Sequence, residues 1–181
     1  TVCFLPDFQI FSGGILFDYA TVSARLRELA YLNGGVQIVF RDEREASRSD
    51  AGDPHEEIYL YEGGIKEYVT YMNKEKEVLH PDIIYVNSEK DGVQVEAALQ
   101  WCADAYSDSI LGFANNIRTA DGGTHIEGLK TVLTRTLNTF AKKLGKRKDG
   151  DSNLAGENIR EGLTAVLSVK VPEPEFEGQT K

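Results

Sequence analysis

Residues 163–172 read LTAVLSVKVP, in which Leu163, Ala165, Val166, Leu167 and Val169 form a near-continuous apolar run. A half-wet strand alternates polar with apolar side chains, so a run of this kind reads as a strand buried inside a sheet. Just before it, GENIREG at 156–162 predicts a short helix, and GKRKDGDSN at 145–153 a polar loop. The longest helical pattern of the chain precedes that loop. It begins at GGTHIEG (122–128), where Thr124 and Glu127 have the spacing of a capping box, and Ile126, Leu129, Leu133, Leu137, Phe140, Ala141 and Leu144 mark a buried stripe. Lys130 and Arg135 fall outside that stripe.

Further upstream, IIYVNSEKDGVQVEAALQW (83–101) predicts two strands around the turn EKDG, and SDSILGFANNI (107–117) a third, which together suggest a meander. FDYATVSARLRELAYLN (17–33) places Tyr19, Val22, Leu26, Leu29 and Leu32 on one helical stripe with Asp18 as its cap. GVQIVFRDE, with Val36, Ile38 and Phe40 inward, and EEIYLYEGG predict a hairpin whose long tip is the polar stretch 44–55. A shorter helix follows, with Ile65, Tyr68, Val69 and Met72 on one face. Strands, helix and a final strand in one unit predict an α+β fold: a two-layer sandwich of a mostly antiparallel sheet with helices packed on one face. The opening TVCFLPDFQIF reads as a strand that begins in mid-element, in a segment of a longer chain. It has neither a basic start nor a long apolar stretch, so no signal peptide and no membrane span are expected.

The net charge of −9 argues against a nucleic-acid binder, but its distribution does not. From Arg118 to Lys148 there are eight basic residues (Arg118, Lys130, Arg135, Lys142, Lys143, Lys146, Arg147, Lys148) against Asp121 and Glu127. Charge segregated in this way fits one basic face for a polyanion, or else a solvated helix end with a lysine-rich loop. Cys3 and Cys102 stand alone, which favours two reduced, partly buried thiols. His55, His80 and His125 show no metal-ligand spacing, so no metal is expected. His125 lies beside the first amides of the long helix, where it either neighbours an anion or packs locally. No nucleophile signature and no complete phosphate-binding loop is present, so no catalytic residue is expected within this segment. The last residues, GQTK (178–181), put a neutral amide and a point charge after a glycine, a pair suited to a terminal phosphate or simply to a polar tail.

Several segments read together supply context: RLRELAYLNGGVQIVFRDER (25–44), YEGGIKEYVTYMN (61–73), VEAALQW (95–101), NNIRTADGGTHIEGLKTVLTRTLN (115–138) and GENIREGLTAVLSVKVPEPEFEGQTK (156–181). In this order and spacing the chain closely resembles the B subunit of bacterial-type DNA gyrase, in its transducer domain. The ATPase subunit of topoisomerase IV shares many of these patterns. The resemblance implies that residues 1–17 are the last strand and exit of a GHKL-type ATPase domain, and that 18–181 are the transducer, with a ribosomal-protein-like β-α-β fold, ending in the QTK loop.

It further implies a part in an ATP-hydrolysing type II topoisomerase, coupling ATP binding and hydrolysis to gate closure, strand passage and supercoiling. ATP and Mg2+ are then held mainly by the preceding domain, with Gln179 and Lys181 reaching its γ-phosphate. Lys130, where the family commonly has arginine, and Arg135 are expected to face the DNA cavity through phosphate contacts that ignore sequence. The implied partners are double-stranded DNA, the gyrase A subunit and a second copy of the B subunit in an ATP-driven dimer. The implied setting is a bacterial cytoplasm or an organelle of bacterial ancestry. The segment by itself is expected to be inactive. From the residues alone, a standalone phosphate- or nucleic-acid-binding α+β module is the alternative.

Overall fold

The computed structural model describes residues 1–11, 13–45, 52–146 and 152–176. Along the chain run α1 (Tyr19–Leu32), β1 (Ile38–Asp42), β2 (His55–Tyr59), α2 (Ile65–Met72), β3 (Ile84–Lys90), β4 (Val93–Trp101), β5 (Ser109–Ala114), β6 (Ile117–Arg118), α3 (Thr124–Lys143), α4 (Gly156–Arg160) and β7 (Leu163–Lys170). Five strands form one sheet in the order β3-β4-β7-β5-β6, and β1 and β2 form a separate antiparallel ribbon. β7 takes the centre, in keeping with its apolar run, with seven of its eight residues buried. It pairs antiparallel with β4, from Trp101↔Leu163 to Gln94↔Lys170, and parallel with β5, from Ser109↔Thr164 to Ala114↔Val169.

The expected meander therefore ends at β4. β7 is inserted between β4 and β5, and α3 becomes part of the crossover of a β-α-β unit. Parallel neighbours need such a long connection, whereas β3 and β4 close through Asp91 and Gly92, both at positive φ. The α+β class and the mostly antiparallel sheet hold, but the helices cover both faces rather than one. Leu163, Ala165, Leu167 and Val169 point to the side of Ile126, Leu129 and Leu133 on α3. Val166, with Ala98 and Phe113, packs against Leu32 of α1 and Ile65 and Val69 of α2. Period-2 alternation sends successive residues of β7 into two cores. The polar residues of the second face are paired: Thr164 Oγ1 accepts from Lys76 Nζ (3.2 Å) and donates to Asn73 Oδ1 (2.7 Å), and Asn73 Nδ2 donates to Gln100 Oε1 (2.9 Å).

Local expectations fare unevenly. Asp18 caps α1, accepting from Thr21 N at 2.7 Å. The apolar stripe of α1 is only partly buried, because its inward face also carries Ser23 and Glu28; Ser23 Oγ lies 2.8 Å from Tyr59 Oη and 3.0 Å from Glu57 Oε2. Val36 precedes β1 and is half-exposed rather than inward. The capping box on α3 does not form. Gly123 (φ 141°) is the cap, Thr124 is already helical, and the amides of Ile126 and Glu127 donate to Gly123 O. Only the first half of α3 lies on the sheet, so Phe140 and Leu144, expected in the stripe, are 56% and 61% exposed. Residues 1–11 and 13–17 contain turns and no strand. An extended segment needs a neighbouring ladder to pair its backbone, and TVCFLP has none among the described residues.

Candidate nucleic-acid interface

α3 has two faces of opposite character. Beside the apolar residues on the sheet, Glu127, Lys130, Thr131, Thr134, Arg135, Asn138 and Lys142 recur at helical spacing; with Asn153 and Arg160 they line an open groove of about 680 Å³. Lys130 and Arg135, the two residues expected to face DNA, are thus brought together on one concave surface. Glycine and asparagine contacts build it. At its head, a Cβ on Gly112 would lie 2.5 Å from Ile126 Cδ1 and 2.9 Å from His125 Nε2, so bare backbone lets α3 close onto β5. On its far wall, Gly156 opens α4, and a Cβ there would meet Thr134 Oγ1 at 2.9 Å.

Between the two, Asn138 is buried in the middle of α3 and accepts from Leu154 N (2.8 Å) while donating to Leu154 O (3.1 Å) and Thr134 O (2.9 Å). It ties the returning chain to the helix. The Trp101 indole donates to Ile159 O at 3.0 Å and holds α4 over β4.

The charges follow from this frame. Lys130 Nζ lies 2.8 Å from Glu127 Oε1, and Arg160 Nε 2.9 Å from Asp108 Oδ2. Arg135 is exposed and forms no ion pair among the described residues. The hydroxyls of Thr134 and Thr139 donate back to Lys130 O and Arg135 O, both at 2.8 Å, so they offer only lone pairs outward. Donors for an anion are therefore the cations, with the Thr131 hydroxyl beside them. Lys130 and Lys142 are twelve residues apart, a rise of about 18 Å, over which a duplex carries about ten phosphates. Several cations on an open, polar trough suit contact with a phosphate backbone.

Not all of the basic stretch belongs here. Arg118 lies on β6, opposite Phe113, away from the groove. Lys143 and Lys146 are exposed at the end of α3. Arg147, Lys148, Gln179 and Lys181 fall outside the described residues. Sequence reasoning missed Asn138 and Arg160. An amide with poor helix propensity in mid-helix, on the same face as Lys130, was the available signal for the first; the second is joined to the groove only by folding.

His125 packs locally, its Nε2 3.0 Å from Thr119 Oγ1, and burial pushes its pKa below the ordinary 6.5. His80 is held between Asp82 O (2.7 Å) and the Trp101 amide (3.1 Å), and His55 stacks on Tyr19. Among the described residues, no group of three or more His, Cys, Asp or Glu is placed to hold a metal ion. Cys102 is buried, but Cys3 is exposed, contrary to expectation. No described helix is long and apolar enough to cross a membrane.

The family described as DNA gyrase B matches residues 64–181 of the chain. The DNA gyrase B protein of Synechocystis sp. is 68% identical over 180 residues, which cover 99% of this chain and 16% of that protein. The chloroplastic/mitochondrial DNA gyrase B protein of Oryza sativa subsp. japonica is 52% identical, covering 98% of this chain and 24% of that one. The chain thus spans between a sixth and a quarter of the length of these relatives. The crystal structure of the 43K ATPase domain of Thermus thermophilus gyrase B, in complex with an aminocoumarin, superimposes with a TM-score of 0.78 at 36% identity, over 96% of this chain and 44% of that one.

Proposed function

The chain belongs to the DNA gyrase B family, and from that membership we propose that it is the transducer of an ATP-dependent type II DNA topoisomerase. It couples ATP binding and hydrolysis, in the whole enzyme, to gate closure over a captured duplex and to strand passage and supercoiling. In this proposal residues 1–17 are the exit of the preceding GHKL-type ATPase domain and 18–181 the transducer. The exposure of Val2 (91%) and Leu16 (91%) supports it, since an apolar segment of this kind gains by packing on a neighbour. ATP and Mg2+ are bound by that neighbour. Gln179 and Lys181 touch the γ-phosphate, and loss of that contact on hydrolysis gives two domain orientations different energies, as a switch requires.

The observation that carries the DNA half of this reading is the groove that unites Lys130, Arg135, Lys142 and Arg160. Its contacts are to phosphate, so a passing duplex stays free to move. The partners are double-stranded DNA, the gyrase A subunit and a second copy of the B subunit; the setting is a bacterial cytoplasm or an organelle of bacterial ancestry. ATP turnover by the full-length gyrase B protein tests both halves. Gln179→Ala and Lys181→Ala should collapse turnover with and without DNA. Lys130→Glu should leave basal turnover measurable and weaken its stimulation by DNA, most strongly at low salt. Unchanged turnover in the first pair removes the phosphate-sensor role and returns the chain to a binding module; unchanged stimulation in the third removes the DNA face.

A further inference from the structure

We infer that Glu127 is a built-in competitor for DNA phosphate, which occupies Lys130 until a duplex displaces it and so keeps the groove's grip weak. The inference rests on the reading of the groove as a DNA surface and goes beyond it, because it assigns a role to an acid on a surface meant for a polyanion. Two observations carry it.

Glu127 and Lys130 are one turn apart on the groove-lining face of α3, with Nζ 2.8 Å from Oε1. The lysine side chain is 30% exposed and the carboxylate 68%, so the pair lies at the mouth of the groove, where a phosphate reaches it without disturbing the core. Arg160 repeats the arrangement on the opposite wall, its Nε 2.9 Å from Asp108 Oδ2. Two of the groove's cations are therefore already neutralised from within the chain. The capping box that would otherwise occupy Glu127 is not formed, which leaves its carboxylate free to turn towards Lys130.

An exposed ion pair of this kind is weak and screened by salt, so a duplex wins the exchange but at a cost in affinity. A surface that must hold a duplex and then let it pass is served by such a cost: each phosphate gained exchanges for a carboxylate lost, and the net attraction stays small. A carboxylate with a purely structural role would behave differently, since removing it would leave DNA affinity where it was or lower it.

The experiment is the DNA concentration giving half-maximal stimulation of ATP turnover by the full-length gyrase B protein, measured with a linear duplex from about 50 to 200 mM KCl. Glu127→Gln keeps the size and hydrogen-bonding capacity of the side chain. It should lower that concentration about two- to fivefold at the lowest salt, the range of a released surface ion pair, and steepen the salt dependence by up to about 0.9 in the log-log slope. In a Lys130→Gln background the same change should give no gain, because there is no longer a cation to release. Asp108→Asn should act in the same direction through Arg160. The inference is overturned if Glu127→Gln leaves the midpoint unchanged or raises it while Lys130→Gln still weakens stimulation; the DNA face then stands without its competitor. It is also overturned if the gain persists without Lys130, since the effect is then one of overall field. If neither Lys130→Gln nor Arg135→Gln alters stimulation, the groove is not a DNA surface and both readings fall.

Discussion

Replacing Asn138 with alanine tests whether the wall of the groove is held as its hydrogen bonds indicate. The residue is 8% exposed and, among the described residues, its side chain makes three bonds to backbone, two of them to Leu154. Each of the two inter-segment bonds contributes about 0.5–1.5 kcal/mol net, and the Leu154 N–H and C=O lose their partners at a partly buried site. Alanine returns about 0.6 kcal/mol through its better helix propensity. The balance is a loss of about 1–2.5 kcal/mol, which for a chain of this size lowers the unfolding midpoint by about 3–8 °C. Thermal unfolding of the chain followed by circular dichroism reads that directly. Asn138→Asp should be at least as damaging: it keeps the acceptor for Leu154 N–H, but it sets a buried carboxylate against Thr134 O and Leu154 O. In the full-length protein, Asn138→Ala should also raise the DNA concentration for half-maximal stimulation, since Asn153 and Arg160 lose their fixed distance from Lys130. A midpoint within about 1 °C of the parent for both variants would show that Leu154 is held by something else, and the account of the wall would be wrong.

Other consequences follow from the same frame. Gly112→Ala should destabilise the chain by about 1–3 kcal/mol by overpacking, because its Cβ would fall 2.5 Å from Ile126 Cδ1; a urea denaturation midpoint equal to the parent's would show that α3 lifts off β5 freely. The depressed pKa of His125 makes stability pH-dependent with a definite sign. Its folded pKa lies below its unfolded value of 6.5, so the unfolded chain binds more protons in acid; the contribution is whole above that value and is lost as pH falls through it towards the lower folded pKa. Unfolding midpoints between about pH 7.5 and 5 should fall less in His125→Gln than in the parent, and parallel curves would refute the assignment.

The amount legible in the sequence differs between elements for physical reasons. The β3–β4 hairpin was readable from EKDG between two strand patterns, since its turn and register are settled within a few residues. The cap Asp18 was readable for the same reason. On α3 the local rule failed: Thr124 and Glu127 have the right spacing, but Gly123 adopts a φ of 141° that few residues share, and it takes the cap itself. The run at Leu163–Lys170 identified a buried strand, and its lack of alternation already implied cover on both faces, which the one-face expectation overlooked. The placing of β7 between β4 and β5 was not legible, because several apolar strands compete for the centre and the winner is set by which pairing closes both cores.

The candidate site divides along the same line. Periodicity alone excluded Lys130 and Arg135 from the apolar stripe, and the family resemblance supplied their expected place on the DNA side. Arg160, Asn153 and Asp108 come from other elements, and no spacing in the chain links them to α3; only the crossover that brings α4 back over the sheet does so. By itself, then, the sequence determined most element types, a buried strand at Leu163–Lys170, the basic residues outside the apolar stripe of α3 and the family, because these depend on residues within a turn or two of one another or on long matched segments. The strand order, the second layer of helices, the wall held by Asn138 and the pairing of groove cations with acids were decided by tertiary structure, because each depends on contacts between residues distant in the chain that exist only once the sheet has closed.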